Sequence, residues 1–196
     1  MQIETKETTD QPETASSNDP LWLVFDTETT GLVNPASSDV RDQPYVIEFA
    51  GVLINRSGDI VKEYEQLFKP PVTLTPKITE ITGLTDEKLK DAKPFDCDAV
   101  QNFFNTPHVH AAVAHNFSFD RAMIGFEFAR AERVIQWPPI VICTVEATYP
   151  IHGRRLKLGQ MYRHLFGEDF TGAHRAMADV KALAKCTAYL IQRGMV

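Results

Sequence analysis

Apolar residues run without a break from Leu21 to Phe25, the pattern of a strand buried on both faces. A second strand is predicted over Tyr45–Ile54, and Asn55-Arg56-Ser57-Gly58 after it is a turn signal. A third, Ile60–Lys69, is closed by Pro70-Pro71. Turn signals between these three predict an antiparallel meander. The period then changes. Thr75-Pro76 has the form of a cap followed by proline at the first helical position, in a short helix that reaches Ile81 and stops at Gly83. Thr85-Asp86-Glu87 opens another, and Phe95–Phe104 a longer one. Val109–Ala114 and Ile140–Cys143 are predicted strands, and Phe119–Arg130, Leu156–Phe166 and Met177–Gln192 predicted helices. A meander followed by alternating helices and strands describes an α/β layered domain with a mixed five-stranded sheet flanked by helices. No internal repeat is visible.

Residues 1–20 stand apart. Among their Thr, Ser, Glu, Asp, Gln and Pro, only Met1 and Ile3 are larger apolar side chains, too little to offset the entropy of ordering. They are expected to form a disordered tail, with one folded domain over residues 21–196. No apolar run approaches the ~20 residues needed to cross a bilayer. No basic segment leads into an apolar core at the N-terminus, so the expected location is the cytoplasm, away from membranes. Cys97, Cys143 and Cys186 are dispersed and odd in number, which excludes a disulfide scaffold or a zinc ribbon. The net charge of -6, part of it in the acidic tail, neither requires nor excludes a nucleic-acid partner. It does argue against tight, sequence-independent binding of long duplex DNA, which needs a broad basic face.

The candidate chemistry lies at the ends of buried strands, where rigid elements open to solvent. Asp26 and Glu28 are two apart on an extended segment and so point to one side. Side-by-side carboxylates repel, and the remedies are a shared proton or a divalent cation. Asp120 follows the fourth strand at a strand-to-helix junction, where an acid also suits the helix macrodipole. His174 and Asp179 are five apart, about 140° on a continuous helix, so they share a site only if His174 lies on the incoming loop.

The chain resembles the DnaQ-like DEDDh exonucleases over residues 21 to about 193. The carriers are Phe25-Asp26-Thr27-Glu28-Thr29-Thr30-Gly31-Leu32, His115-Asn116-Phe117-Ser118-Phe119-Asp120 and Ala173-His174-Arg175-Ala176-Met177-Ala178-Asp179. The spacer Ile78-Thr79-Glu80-Ile81-Thr82-Gly83-Leu84-Thr85-Asp86-Glu87 is similar too. His-x4-Asp in the third motif selects the histidine branch. The resemblance implies an RNase H-like exonuclease fold and a metal-dependent 3′–5′ exonuclease releasing nucleoside 5′-monophosphates, acting on DNA with single-stranded or frayed ends.

It also implies two divalent cations, Mg2+ or Mn2+, of the hard kind that carboxylates hold. Asp26, Glu28 and Asp179 would hold the first, and Asp26 with Asp120 the second. His174 would act as general base, its ordinary pKa of ~6.5 being suited to neutral pH. Thr29, Thr30 and Leu32 are the substrate candidates implied at the 3′-terminal sugar and base. Asn116 has two readings, a bond to substrate or a brace for its loop. Phe117 and Phe119 are placed to stack on a base or to pack in the core. Arg175, beside His174, is a phosphate candidate. So are His152, Arg154, Arg155, Lys157 and Arg163, whose other reading is solvated surface. Glu48, in the second strand, reads most simply as structural, with a supporting role behind the acids as the alternative. Competing readings are an exoribonuclease and a non-catalytic subunit that binds nucleic-acid ends. Proofreading would require a polymerase partner.

Overall fold

A computed structural model of the chain describes residues 19–172 and 175–196. The expected tail therefore lies almost wholly outside the described residues, and so does His174. The sheet contains β1 (Leu21–Thr29), β2 (Val46–Ile54), β3 (Ile60–Leu67), β4 (Val109–Ala114) and β5 (Ile140–Cys143) in the order β3-β2-β1-β4-β5. The first three pair antiparallel as the meander predicts; β4 and β5 add in parallel to β1.

Around the sheet lie α1 (Pro76–Thr82), α2 (Asp86–Leu89), α3 (Cys97–Phe104), α4 (Phe117–Arg130), α5 (Thr144–His152), α6 (Leu158–Phe166) and α7 (Ala176–Gln192). The end signals of α1 act as the sequence implies. The Thr75 side chain accepts the Ile78 N–H, Pro76 takes the first helical position, and Gly83 closes the helix at φ 69°. None of the helices is long and apolar enough to cross a membrane, among the described residues.

Period-two alternation sorts the strands into two cores. Leu23, Phe25, Phe49 and Leu53 face α3 and α4, against Phe103, Phe104, Met123 and Phe128. Trp22, Val24, Ala50 and Val52 face α6 and α7, against Met161, Val180, Leu183 and Ile191. Gly51 is required on the first face. A Cβ there would lie 2.5 Å from Phe103 Cε1, and that ring is wedged by Phe49 and Tyr64. Gly51→Ala is expected to destabilise the fold by ~1–3 kcal/mol through overpacking, read as a lower urea midpoint with an unchanged m-value.

Two departures from the sequence reading matter. β1 does not stop at Phe25 but runs on to Thr29, so Asp26 and Glu28 belong to the strand itself. Its pairing with β2 continues through Glu28, opposite Glu48. Helix α5 was not expected, because Thr144, Val145, Thr148, Pro150 and Ile151 argue against helix locally. Burial of Thr144, Val145 and Thr148 overrides that preference, and Gly153 caps the helix at φ 64°.

Candidate active site

The alternation that turns Trp22 and Val24 toward α7 also carries Asp26 and Glu28 to that layer. Asp179 meets them from the first turn of α7, its N–H donating to the Arg175 carbonyl at 3.0 Å. One oxygen from each of Asp26, Glu28 and Asp179 lies within 4.8 Å of the others. Three hard oxygen donors at this spacing, all partly buried, suit a divalent cation such as Mg2+ or Mn2+.

Asp120 arrives from the opposite layer. It is 2% exposed, and its Oδ1 accepts both the Thr27 N–H at 3.0 Å and the Thr27 hydroxyl at 2.8 Å. Thr27, between the two acids of β1 but pointing the other way, thus ties the start of α4 to the strand. The same alternation that pairs Asp26 with Glu28 puts Thr27 on the other face, a local signal for a role that the motif residues alone do not reveal.

The electrostatics follow from burial and crowding. Asp26 is held well above the ordinary carboxylate range, by desolvation first and then by Asp120, Glu28, Asp179 and Glu48. Desolvation, followed by Asp179, Glu48 and Asp120, pushes Glu28 up to about 8. Asp120 is also raised by burial, against the bonds from Thr27 that favour its ionised form. Without a cation the cluster keeps protons it would otherwise release.

A cleft of about 430 Å³ opens beside these acids, with Asp26, Asp179, His115, Lys157, Gln160 and Phe170 in its wall. His115 shapes it. Its Nε2 lies 3.0 Å from the Leu156 carbonyl and must carry the proton, so Nδ1, 2.9 Å from the Thr144 hydroxyl, accepts. Burial lowers its pKa to about 4 and keeps the ring neutral. His115 thereby fastens the loop that carries Lys157 to the end of β4. A second cavity of about 480 Å³, between Tyr45, Pro70, Phe95 and Arg130, touches none of the four acids.

The remaining candidates are placed as follows. Leu32 stands out from the surface, 81% exposed, and Thr29 is buried with its hydroxyl on the Gly31 carbonyl at 2.7 Å. The Thr30 hydroxyl accepts the Tyr45 N–H. Asn116, left-handed at φ 70°, accepts a bond from Arg155 at 3.1 Å, which joins the two loops that carry them. Phe117 is core: its ring packs edge-on against Phe25 and Trp137. Phe119 packs partly buried against the same core. Arg175 does not stand free at the rim, because its guanidinium pairs with the fully buried Glu48 at 3.0 Å. Of the other basic residues, Arg163 is paired with Asp169, Arg155 with Glu146, and His152 lies edge-on to His164. Lys157 lines the cleft.

The chain is similar to known proteins in sequence and in fold. A family model described as Exonuclease (RNase_T) covers residues 23–187. The DNA polymerase III PolC-type of Bacillus subtilis (strain 168) is 34% identical over 173 residues, which are 87% of this chain and 11% of the polymerase. The chain thus spans about a tenth of that relative. Among solved structures, the nuclease domain of 3′hExo, a DEDDh family member bound to rAMP, superimposes with a TM-score of 0.73 at 19% identity. That match covers 92% of this chain and 96% of that one. Exonuclease X in complex with 5′ overhanging duplex DNA gives a TM-score of 0.64 at 24% identity, covering 88% and 92%. With a family match running through nearly all of the described domain, the chain belongs to the exonuclease family.

Proposed function

We propose that residues 21–196 form a 3′–5′ exonuclease domain that hydrolyses DNA from single-stranded or frayed 3′ ends to nucleoside 5′-monophosphates. The observation that carries this is the convergence of Asp26, Glu28 and Asp179, with donor oxygens within 4.8 Å, beside a cleft that Asp26 and Asp179 line. In this reading those three acids hold one divalent cation, Mg2+ or Mn2+, and Asp26 with Asp120 hold a second. Cations held there would neutralise charge on the scissile phosphate and make water a better nucleophile.

The chain's own groups do the rest. Thr27 fixes Asp120, so the acids from the two layers keep a set separation. Leu32 offers an apolar face to the terminal base, and the Thr29–Thr30 turn offers backbone groups to its sugar. His174 takes the proton of the attacking water, and Lys157 meets a phosphate at the cleft edge. DNA is favoured in this reading because the 34% identity is to a DNA polymerase, which also supports a polymerase as partner and replication or repair as the setting; the location proposed is the cytoplasm. An RNA substrate is the second reading, favoured by the fold match to a nuclease domain bound to rAMP.

The test is 5′-labelled DNA and RNA strands of one sequence, with free or blocked 3′ ends, in Mg2+ or EDTA. Stepwise shortening from free 3′ ends, dependent on Mg2+ and faster on DNA, is expected. Faster RNA hydrolysis selects the second reading; cutting of circular strands, or activity in EDTA, sinks both. His174→Ala is expected to slow turnover ~10²–10⁴-fold with Mn2+ binding retained. Loss of Mn2+ would reassign His174 to the metal shell.

A further inference from the structure

We infer that Glu48 is a positioning residue: from β2 it caps the N-terminus of α7 and thereby sets where Asp179 meets Asp26 and Glu28. This rests on the reading of those three acids as the metal site.

Among the described residues, no neighbouring side chain caps the start of α7. Arg175 occupies the cap position with extended backbone, φ -126° and ψ 122°, and its side chain makes no capping bond. Ser, Thr, Asp or Asn would ordinarily stand there to accept one of the orphan N–H groups of the first turn. The acceptor comes instead from across the fold. The Ala176 N–H donates to Glu48 Oε2 at 3.3 Å, and the Arg175 guanidinium donates to Oε1 at 3.0 Å. Glu48 therefore grips the last residue before the helix and the first residue within it. The grip passes to Asp179 through one more bond, from its N–H to the Arg175 carbonyl at 3.0 Å.

An acid at this position is otherwise hard to explain. The Glu48 side chain is fully buried, opposite Glu28 in the β1–β2 register, where its charge adds to the repulsion on Asp26 and Glu28. A neutral side chain would relieve that repulsion. What a neutral apolar side chain would lack is the attraction to Arg175 and to the positive end of a 17-residue helix. Paired on both sides, by β3 and β1, β2 is a rigid base for such an anchor.

The test uses the full chain and three variants, Glu48→Ala, Glu48→Gln and Arg175→Ala. Three quantities are read: amide hydrogen exchange along α7, Mn2+ affinity by titration, and kcat and KM on single-stranded DNA. Glu48→Ala is expected to speed exchange over residues 176–180 at least ~10-fold relative to residues 185–191. It should also weaken Mn2+ binding about tenfold and lower kcat more than it raises KM. Glu48→Gln, whose amide oxygen still accepts the Ala176 N–H, should recover most of the protection. If Glu48→Ala does not fold, Arg175→Ala carries the test, and exchange over residues 176–180 must rise in it. Unchanged exchange there, or tighter Mn2+ binding in Glu48→Ala as for a merely repulsive charge, overturns the assignment. A wild-type chain that binds Mn2+ yet hydrolyses no polynucleotide sinks the proposed function, while the exchange result still decides Glu48.

Discussion

Asp26→Asn is expected to lower single-stranded DNA hydrolysis by ~10³-fold or more, about 4 kcal/mol of barrier, and at the same time to raise the melting temperature of the metal-free chain. The two effects have one cause. Asp26 lies within the field of Asp120, Glu28, Asp179 and Glu48, and in the proposed mechanism it would be a ligand of both cations. An amide keeps the shape but contributes neither the charge nor the donor strength that a hard cation requires. Activity then falls with metal affinity. In the metal-free chain the same change removes a buried acid that folding forces to keep a proton the unfolded chain releases, and the fold gains. Added Mg2+, which should raise the melting temperature of the wild type, should raise that of Asp26→Asn much less. Equal Mg2+ effects in the two proteins would show that Asp26 is not a ligand.

The second large effect concerns pH. Glu28 has an ordinary value of 4.5 and a folded value of about 8, so between those limits the unfolded chain has released a proton that the native chain keeps. Stability therefore falls as pH rises through this window. Asp26 and Asp120 act in the same direction. Below about 6.5 an opposing contribution enters. His115 stays neutral in the fold down to about 4, while the unfolded chain takes up its proton, so stability there falls as pH drops. The clean window is pH 6.5 to 8. In EDTA the melting temperature should fall across it by about 5 °C or more, because each tenfold difference in one carboxyl's proton affinity between folded and unfolded chain is worth ~1.4 kcal/mol. With Mg2+ at ~100 times its Kd, about 2.7 kcal/mol of stability returns, and returns most fully at pH 8, where protons compete least. A melting temperature that rises from pH 6.5 to 8 in EDTA would remove the grounds for a strained carboxylate cluster.

Both predictions depend on acids that were legible from residue pattern before any fold was known. Asp26, Glu28, Asp120 and Asp179 are each ordinary residues at strand or helix ends, and only their order and spacing mark them as a set. The structure adds how they converge. Asp26 and Glu28 share a face because β1 continues past Phe25, and Asp179 reaches them because α7 lies across β1 and β2. Phe117 and Arg175 show where pattern falls short. An aromatic at a helix entrance and an arginine beside a motif look the same in sequence whether they meet a ligand or the protein. Packing against Phe25 and Trp137 decides the first, and Glu48 engages the second. Helix α5 was missed for a related reason, since tertiary burial of Thr144, Val145 and Thr148 outweighs a local preference that Pro150 further weakens.

By itself the sequence determined the α/β class, the three-stranded meander, most element boundaries and the identity of the acids, because period, caps and turn residues act over a few neighbouring positions. Only the tertiary structure decided that Thr27 holds Asp120, that His115 fastens the loop bearing Lys157, and that Glu48 caps α7. Those bonds join residues 93, 41 and 128 positions apart. No local pattern encodes a partner that distant; it is selected when burial leaves each polar group one acceptor within reach.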